Sequence, residues 1–222
     1  NFNLDIIYGL PEQSISQALA DITQALSFNS THLSAYNLTI EPNTEFAKFI
    51  PANLPNDDLC YAMQDQIINQ LSAHGFQRYE TSAYARKAHQ AQHNLNYWQF
   101  GDYLGIGAGA HSKLSFHDKI IRQSRHKHPQ EYMKRILNQQ QILENTVIQK
   151  SDLSLEFMMN ALRLTNGFSN QLFSETTSLP FSQILPQLLR AQQQGFLELT
   201  PTKIIPTEQG RDFLNNLLEI FM

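Results

Sequence analysis

Three short segments rich in apolar and aromatic residues, FNLDIIYGL (Phe2 to Leu10), HLSAYNLTI (His32 to Ile40) and FQRYETSAYA (Phe76 to Ala85), are separated by two stretches of helical periodicity. This alternation constrains the fold more than any other feature. The first spacer, Ser14 to Phe28, places Ile15, Leu19, Ile22 and Leu26 at helical spacing behind Ser14, a suitable N-cap. The second, Asp57 to His74, reads as a helix stopped by Gly75. Strand, helix, strand, helix, strand predicts parallel pairing through right-handed crossovers.

Beyond Ala85 the pattern breaks. Lys87 to Asp102 reads as a long polar loop carrying HNLNYW, which holds the only tryptophan of the chain. YLGIGAGAHSKL (Tyr103 to Leu114) reads as a strand entering a glycine-rich turn, and Lys119 to Gln123 as another short strand. From His128 onward helices dominate: Pro129 to Asn138, Ser151 to Leu164, Pro180 to Gln194 and Thr207 to Phe221. With GFLEL and KIIP between the last two, the tail looks like a winged-helix-type module.

Composition narrows the function classes. A chain of 222 residues, 41% hydrophobic and 16% charged, can bury one large core or a large and a small one. A net charge of -4 carries no signal for nucleic acid or an anionic membrane, and no apolar run approaches a membrane span. The tail from Ser151 to Met222 holds four basic residues against seven acidic ones, which disfavours nucleic acid as a partner because phosphate contacts dominate that affinity. NFNLDIIYGLP reads as strand and turn rather than a signal peptide, and Cys60 is the single cysteine, so a reducing cytoplasm is the expected compartment.

Four features carry potential chemistry. Asp5 lies in an otherwise apolar strand, where a carboxylate needs a hydrogen-bonding partner or a counter-charge; it either pairs locally or faces a ligand at the open end of a sheet. GIGAGAH (Gly105 to His111) lacks the dinucleotide fingerprint and fits either an anion-facing backbone or a tight bend. HNLNYW offers an imidazole, a common axial ligand for haem iron, beside two flat amphipathic rings; the plainer alternative is a loop pinned by Trp98. Lys113 to Arg135 concentrates seven of the 16 Lys and Arg residues, either a solvated face or a cluster for anionic groups such as propionates.

Taken together, NLDIIYGLPEQS, HLSAYNLTIEPNT, GFQRYETSAYAR, HNLNYWQFGDYLGIGAGAHS and LTPTKIIPTEQGRDFLNNLL resemble the later part of the HemN-like radical S-adenosylmethionine (SAM) proteins. That family includes oxygen-independent coproporphyrinogen III oxidase, and HNLNYW matches the HNxxYW pattern of its haem-chaperone branch. The resemblance implies an α/β fold: the C-terminal part of a partial β/α, TIM-like barrel over residues 1–127, then a mostly helical, winged-helix-like domain over 128–222. It also implies a [4Fe-4S] cluster on CxxxCxxC cysteines with SAM on the open iron. That motif is not in this chain, and a whole barrel takes about 250 residues, so a C-terminal fragment that cannot be catalytic alone is expected.

Residue by residue, the resemblance puts Asp5, Thr39 and His111 against SAM, and His93, Tyr97 and Trp98 against haem, with His93 as the candidate iron ligand. The implied function is haem binding and delivery to client proteins. The alternatives are radical oxidative decarboxylation of porphyrinogen propionates and a ligand-free interaction module.

Overall fold

The computed structural model describes residues 1–140 and 142–222. The chain forms two compact units, residues 1–91 and 92–222. The family-based division at 127/128 falls inside the second.

The first unit contains β1 (Asn3–Tyr8), α1 (Ile15–Ser27), β2 (His32–Asn37), α2 (Glu45–Lys48), α3 (Asp57–Ala73), β3 (Gln77–Arg78) and β4 (Ala83–Ala85). Ser14 starts α1 with a capping box, its hydroxyl accepting from the Gln17 N–H while the Gln17 side chain caps the Ser14 N–H. Asn56 caps α3 by accepting from the Leu59 N–H at 2.9 Å. Beyond α3 the chain turns at Gly75 with φ +81°, a conformation glycine adopts without penalty.

One face of the sheet is covered by these two helices. Leu4, Ile6 and Tyr8 of β1 and Leu33 and Ala35 of β2 pack on Ala18, Ile22 and Ala25 of α1 and Met63, Ile67 and Leu71 of α3. Complete burial of a side chain such as Ile22 or Leu71 contributes about 1.5–3 kcal/mol each. The period of two along each strand therefore sends Asn3, Asp5, His32 and Ser34 to the other face.

The sheet order is β1-β2-β4-β3. β1 and β2 pair in parallel, as the alternation predicts, with Asp5 opposite Ser34 and Asn3 opposite His32. The third segment departs from expectation: Phe76 to Ala85 divides into β3 and β4, and β4 runs antiparallel to β2. The intervening Glu80–Thr81–Ser82 corner reverses the chain, and Arg78 ties it by donating to the Thr81 carbonyl at 2.6 Å.

The second unit contains α4 (Gln92–Trp98), β5 (His111–Ser115), β6 (Ile120–Arg125), α5 (Pro129–Leu137), β7 (Ile142–Val147), α6 (Leu153–Ala161), β8 (Phe168–Ser169), α7 (Asn170–Thr177), α8 (Leu185–Gln193), β9 (Leu197–Leu199), β10 (Lys203–Pro206), α9 (Glu208–Asp212) and α10 (Leu214–Glu219). β5, β6 and β7 form an antiparallel meander, and β8, β10 and β9 a small second sheet. Phe157 anchors the core, with the rings of Phe100, Phe168 and Phe173 edge-on at 5.7, 4.9 and 5.2 Å. The long expected helices are broken. Pro180 to Gln194 becomes a 3₁₀ turn at Phe181–Gln183 followed by α8, and Phe213 (ψ 45°) separates α9 from α10. Among the described residues no helix is long and apolar enough to cross a membrane.

Candidate functional site

Asp5 is exposed on the uncovered face of the first sheet, not buried in an apolar strand as its neighbours suggested. Its Oδ1 accepts from Asn3 Nδ2 at 2.8 Å. Asn3 also contacts the Ser34 hydroxyl at 3.2 Å and the Nδ1 of buried His32 at 2.7 Å. His32 Nε2 lies 2.7 Å from the Tyr79 hydroxyl, which receives the Ala91 N–H at 3.3 Å. Burial pushes the His32 imidazole below its ordinary value, against an upward pull from Asp5. Thr39 is exposed just beyond the C-terminal end of β2, its hydroxyl donating to the Asn37 carbonyl at 3.3 Å. Asp5 on β1 and Thr39 just past β2 thus both lie in the first unit.

HNLNYW is helical, a correction to the expected loop: it forms all but the first residue of α4. Positions four apart share a helix face, and the exposed His93 packs edge-on against Tyr97 at 4.6 Å. Tyr97 continues onto Tyr103 at 4.2 Å. Trp98 takes a different side: the Arg163 guanidinium lies over its ring at 5.1 Å, and its indole nitrogen is buried without a partner among the described residues. The structure therefore brings His93 and Tyr97 together and places Trp98 against the residues after α6. His93 makes no hydrogen bond among the described residues, so its imidazole is accessible to a metal centre.

The glycine-rich turn is a bend. Its three glycine N–H groups are spent internally, on the Ser112 hydroxyl at 2.9 Å, the Tyr132 hydroxyl at 3.1 Å and the His126 carbonyl at 2.9 Å. A Cβ on Gly105 would lie 2.0 Å from the His111 carbonyl oxygen, so the backbone itself requires glycine there. His111 is exposed at the start of β5, on the rim of a cavity of about 440 Å³ shared with Arg122, Glu144 and Glu156.

Three cations of the basic run from Lys113 to Arg135 are committed to internal partners. Arg122 pairs with Glu156 and donates to Tyr103 at 3.2 Å, and Arg135 pairs with Glu131 at 2.5 Å. Lys113 is only 2% exposed. Its ammonium donates to the Phe100 carbonyl at 2.9 Å, Asp102 Oδ1 at 3.1 Å and Ser115 Oγ at 3.1 Å, and it sits 4.0 Å above the Phe100 ring. Sequence reasoning counted Lys113 as surface charge; its place opposite Tyr103 in the pairing of β5 was the missing information.

The donor sets can be tested against the implied groups. An exposed carboxylate with one oxygen open suits the ammonium or hydroxyls of SAM, and an exposed imidazole beside a tyrosine ring suits haem. Cys60, its thiol pushed up chiefly by burial, cannot by itself supply a three-cysteine cluster site.

Comparison with known proteins agrees with this architecture. Residues 148–213 match the HemN C-terminal domain family. A solved structure described as "Coproporphyrinogen III oxidase (HemN) from Escherichia coli is a Radical SAM enzyme" superposes with a TM-score of 0.76 at 19% identity, over 99% of this chain and 54% of that one. The chain is thus similar to members of the HemN-like radical SAM family. Among these, it is 46% identical to the "Heme chaperone HemW" of Escherichia coli (strain K12), over all of this chain and 58% of that protein. It is 44% identical to the protein of the same name from Haemophilus influenzae, over all of this chain and 57% of that one. The chain therefore spans somewhat over half the length of the curated relatives it matches.

Proposed function

We propose that this chain is part of a haem-binding protein that delivers haem to client proteins in the cytoplasm. The observation that carries the reading is the exposed His93 on the HNLNYW helix, packed on Tyr97, in a chain similar along its whole length to proteins named heme chaperones. His93 is the iron ligand in this reading. Tyr97 gives the macrocycle an apolar face, and Trp98 fixes the helix from behind. This reading assigns residues 1–127 to the radical SAM barrel and residues 128–222 to the HemN-type domain.

The family resemblance takes Asp5, Thr39 and His111 each as a candidate SAM contact in the full-length protein, where SAM would supply the sulfonium chemistry of the family alongside a [4Fe-4S] cluster. The cluster's cysteines are not among these residues, where Cys60 stands alone. What the present residues contribute is binding: a carboxylate for a cationic or hydroxylated ligand and an imidazole for iron.

The test is haem transfer. Full-length protein loaded with stoichiometric haem is mixed with an apo haem protein, and the acceptor's spectrum is followed, in parallel with a decarboxylation assay on coproporphyrinogen III. Transfer without decarboxylation supports the chaperone reading; decarboxylation without haem retention overturns it in favour of an oxidase.

A further inference from the structure

Asp5 does not stand alone on its sheet face. Parallel register sets Asn3 beside His32 and Asp5 beside Ser34, so four polar side chains from two strands meet on one surface. The direction of each hydrogen bond on the path from Asp5 through Asn3 and His32 to Tyr79 follows from its end. An ionised carboxylate only accepts, so Asn3 must turn its NH₂ to Asp5 Oδ1, 2.8 Å away. That orientation leaves the Asn3 carbonyl oxygen facing His32 Nδ1 at 2.7 Å, and this nitrogen must carry the proton. His32 Nε2 is then the acceptor, and the Tyr79 hydroxyl donates to it across 2.7 Å. The Tyr79 oxygen in turn accepts the Ala91 N–H. No donor meets a donor anywhere along this path. The depressed basicity of buried His32 agrees with a neutral ring.

We propose that Asn3 and His32 are positioning residues for the Asp5 carboxylate, acting through a relay anchored on the Ala91 main chain. The relay occupies Oδ1 and holds the carboxylate in one rotamer with Oδ2 presented to the ligand. The inference rests on the reading of Asp5 as a SAM contact and adds the machinery that orients it. His32 at 6% exposure and Ser34 at 2% fix the base of the relay within the sheet. Only its tip is free to move, and an immobilised tip saves the ordering cost that ligand binding would otherwise incur.

The experiment uses the full-length, cluster-loaded protein with SAM as the probe. Tyr79→Phe keeps the ring and removes the one proton donated to His32; His32→Gln removes the ring. Three quantities are read: the ¹⁵N spectrum of His32, SAM affinity by calorimetry, and melting temperature. The wild type should show a neutral His32 protonated at Nδ1, and Tyr79→Phe should lose that tautomer preference. Either variant should weaken SAM by about two- to tenfold, the cost of reordering one side chain.

In an Asp5→Ala background the same substitutions should weaken SAM no further, because the relay acts only through Asp5. A His32 protonated at Nε2 in the wild type would overturn the relay directly. Equal losses with and without Asp5 would show a merely structural role. If Asp5→Ala leaves SAM affinity unchanged, the SAM reading of Asp5 fails, and the relay falls with it as a SAM device. If Asp5→Ala weakens SAM while Tyr79→Phe, folded by its melting temperature, does not, the relay alone fails.

Discussion

Replacing Lys113 with methionine removes the ammonium that ties the end of the HNLNYW segment to β5. Three acceptors lose a donor. The Phe100 carbonyl is the serious loss: it is a buried main-chain acceptor whose bond to a charged donor contributes about 1.5–3 kcal/mol. Asp102 loses less. It is 44% exposed and keeps the Ser115 N–H and hydroxyl at 2.9 and 2.7 Å, so its ion pair adds about 0–1 kcal/mol. The cation above the Phe100 ring adds about 0.5–2 kcal/mol. Against these, methionine refills most of the volume, places sulfur near the ring, and removes the cost of burying a charge. Burial pushes the Lys113 amine below its ordinary value even with Asp102 beside it, so that offset is real. The expected net loss is about 1–3 kcal/mol in urea unfolding, with amide exchange at Gln99 to Asp102 accelerating more than exchange in α6. A midpoint unchanged within error, with unchanged exchange, would show that Lys113 holds nothing in place.

Two further outcomes test the packing and the buried titrating group. Gly167→Ala should destabilise the second unit by more than about 2 kcal/mol, because φ is +63° and a Cβ would lie 1.8 Å from the Ile204 carbonyl oxygen; a thermal melt within a degree of the wild type would contradict this. His32 stays neutral in the fold while the unfolded chain takes a proton as pH falls through 6.5, so the unfolded state binds more protons and stability falls on acidification below that value. The slope of unfolding free energy between pH 6.5 and the folded-state pKa should be shallower in His32→Gln, and identical slopes would refute the assignment.

The parallel β1–β2 pair and both covering helices were legible because periodicity, caps and stop signals agree in Ser14 to Phe28 and Asn56 to Gly75. Elsewhere those signals conflict or vanish. β7 went unread because all six of its residues are exposed, leaving no alternation to detect. α4 went unread because its apolar positions are too few for a stripe and none is buried. β4 was expected to be parallel because the corner at Glu80 to Ser82 is held by Arg78 through main-chain carbonyls, which composition does not reveal. The candidate residues Asp5 and His93 could be singled out by type and context. Asn3, His32 and Tyr79 could not, since each is ordinary in isolation and only strand register and the β3–β4 turn bring them together. The glycine run carried a real signal, but one of backbone crowding at His111 rather than of an anion.

The central claim is that His93 presents an imidazole to haem iron. The most direct measurement is the absorption spectrum of the full-length protein titrated with haem, compared between wild type and His93→Ala. The account predicts a shifted Soret band and weaker haem retention in His93→Ala. In Trp98→Ala it predicts weaker retention with a nearly unchanged spectrum, because Trp98 packs behind the helix and offers the iron no ligand. Identical spectra and affinities for wild type and His93→Ala would contradict it, and HNLNYW would then be a helix held by its tryptophan with no part in binding haem.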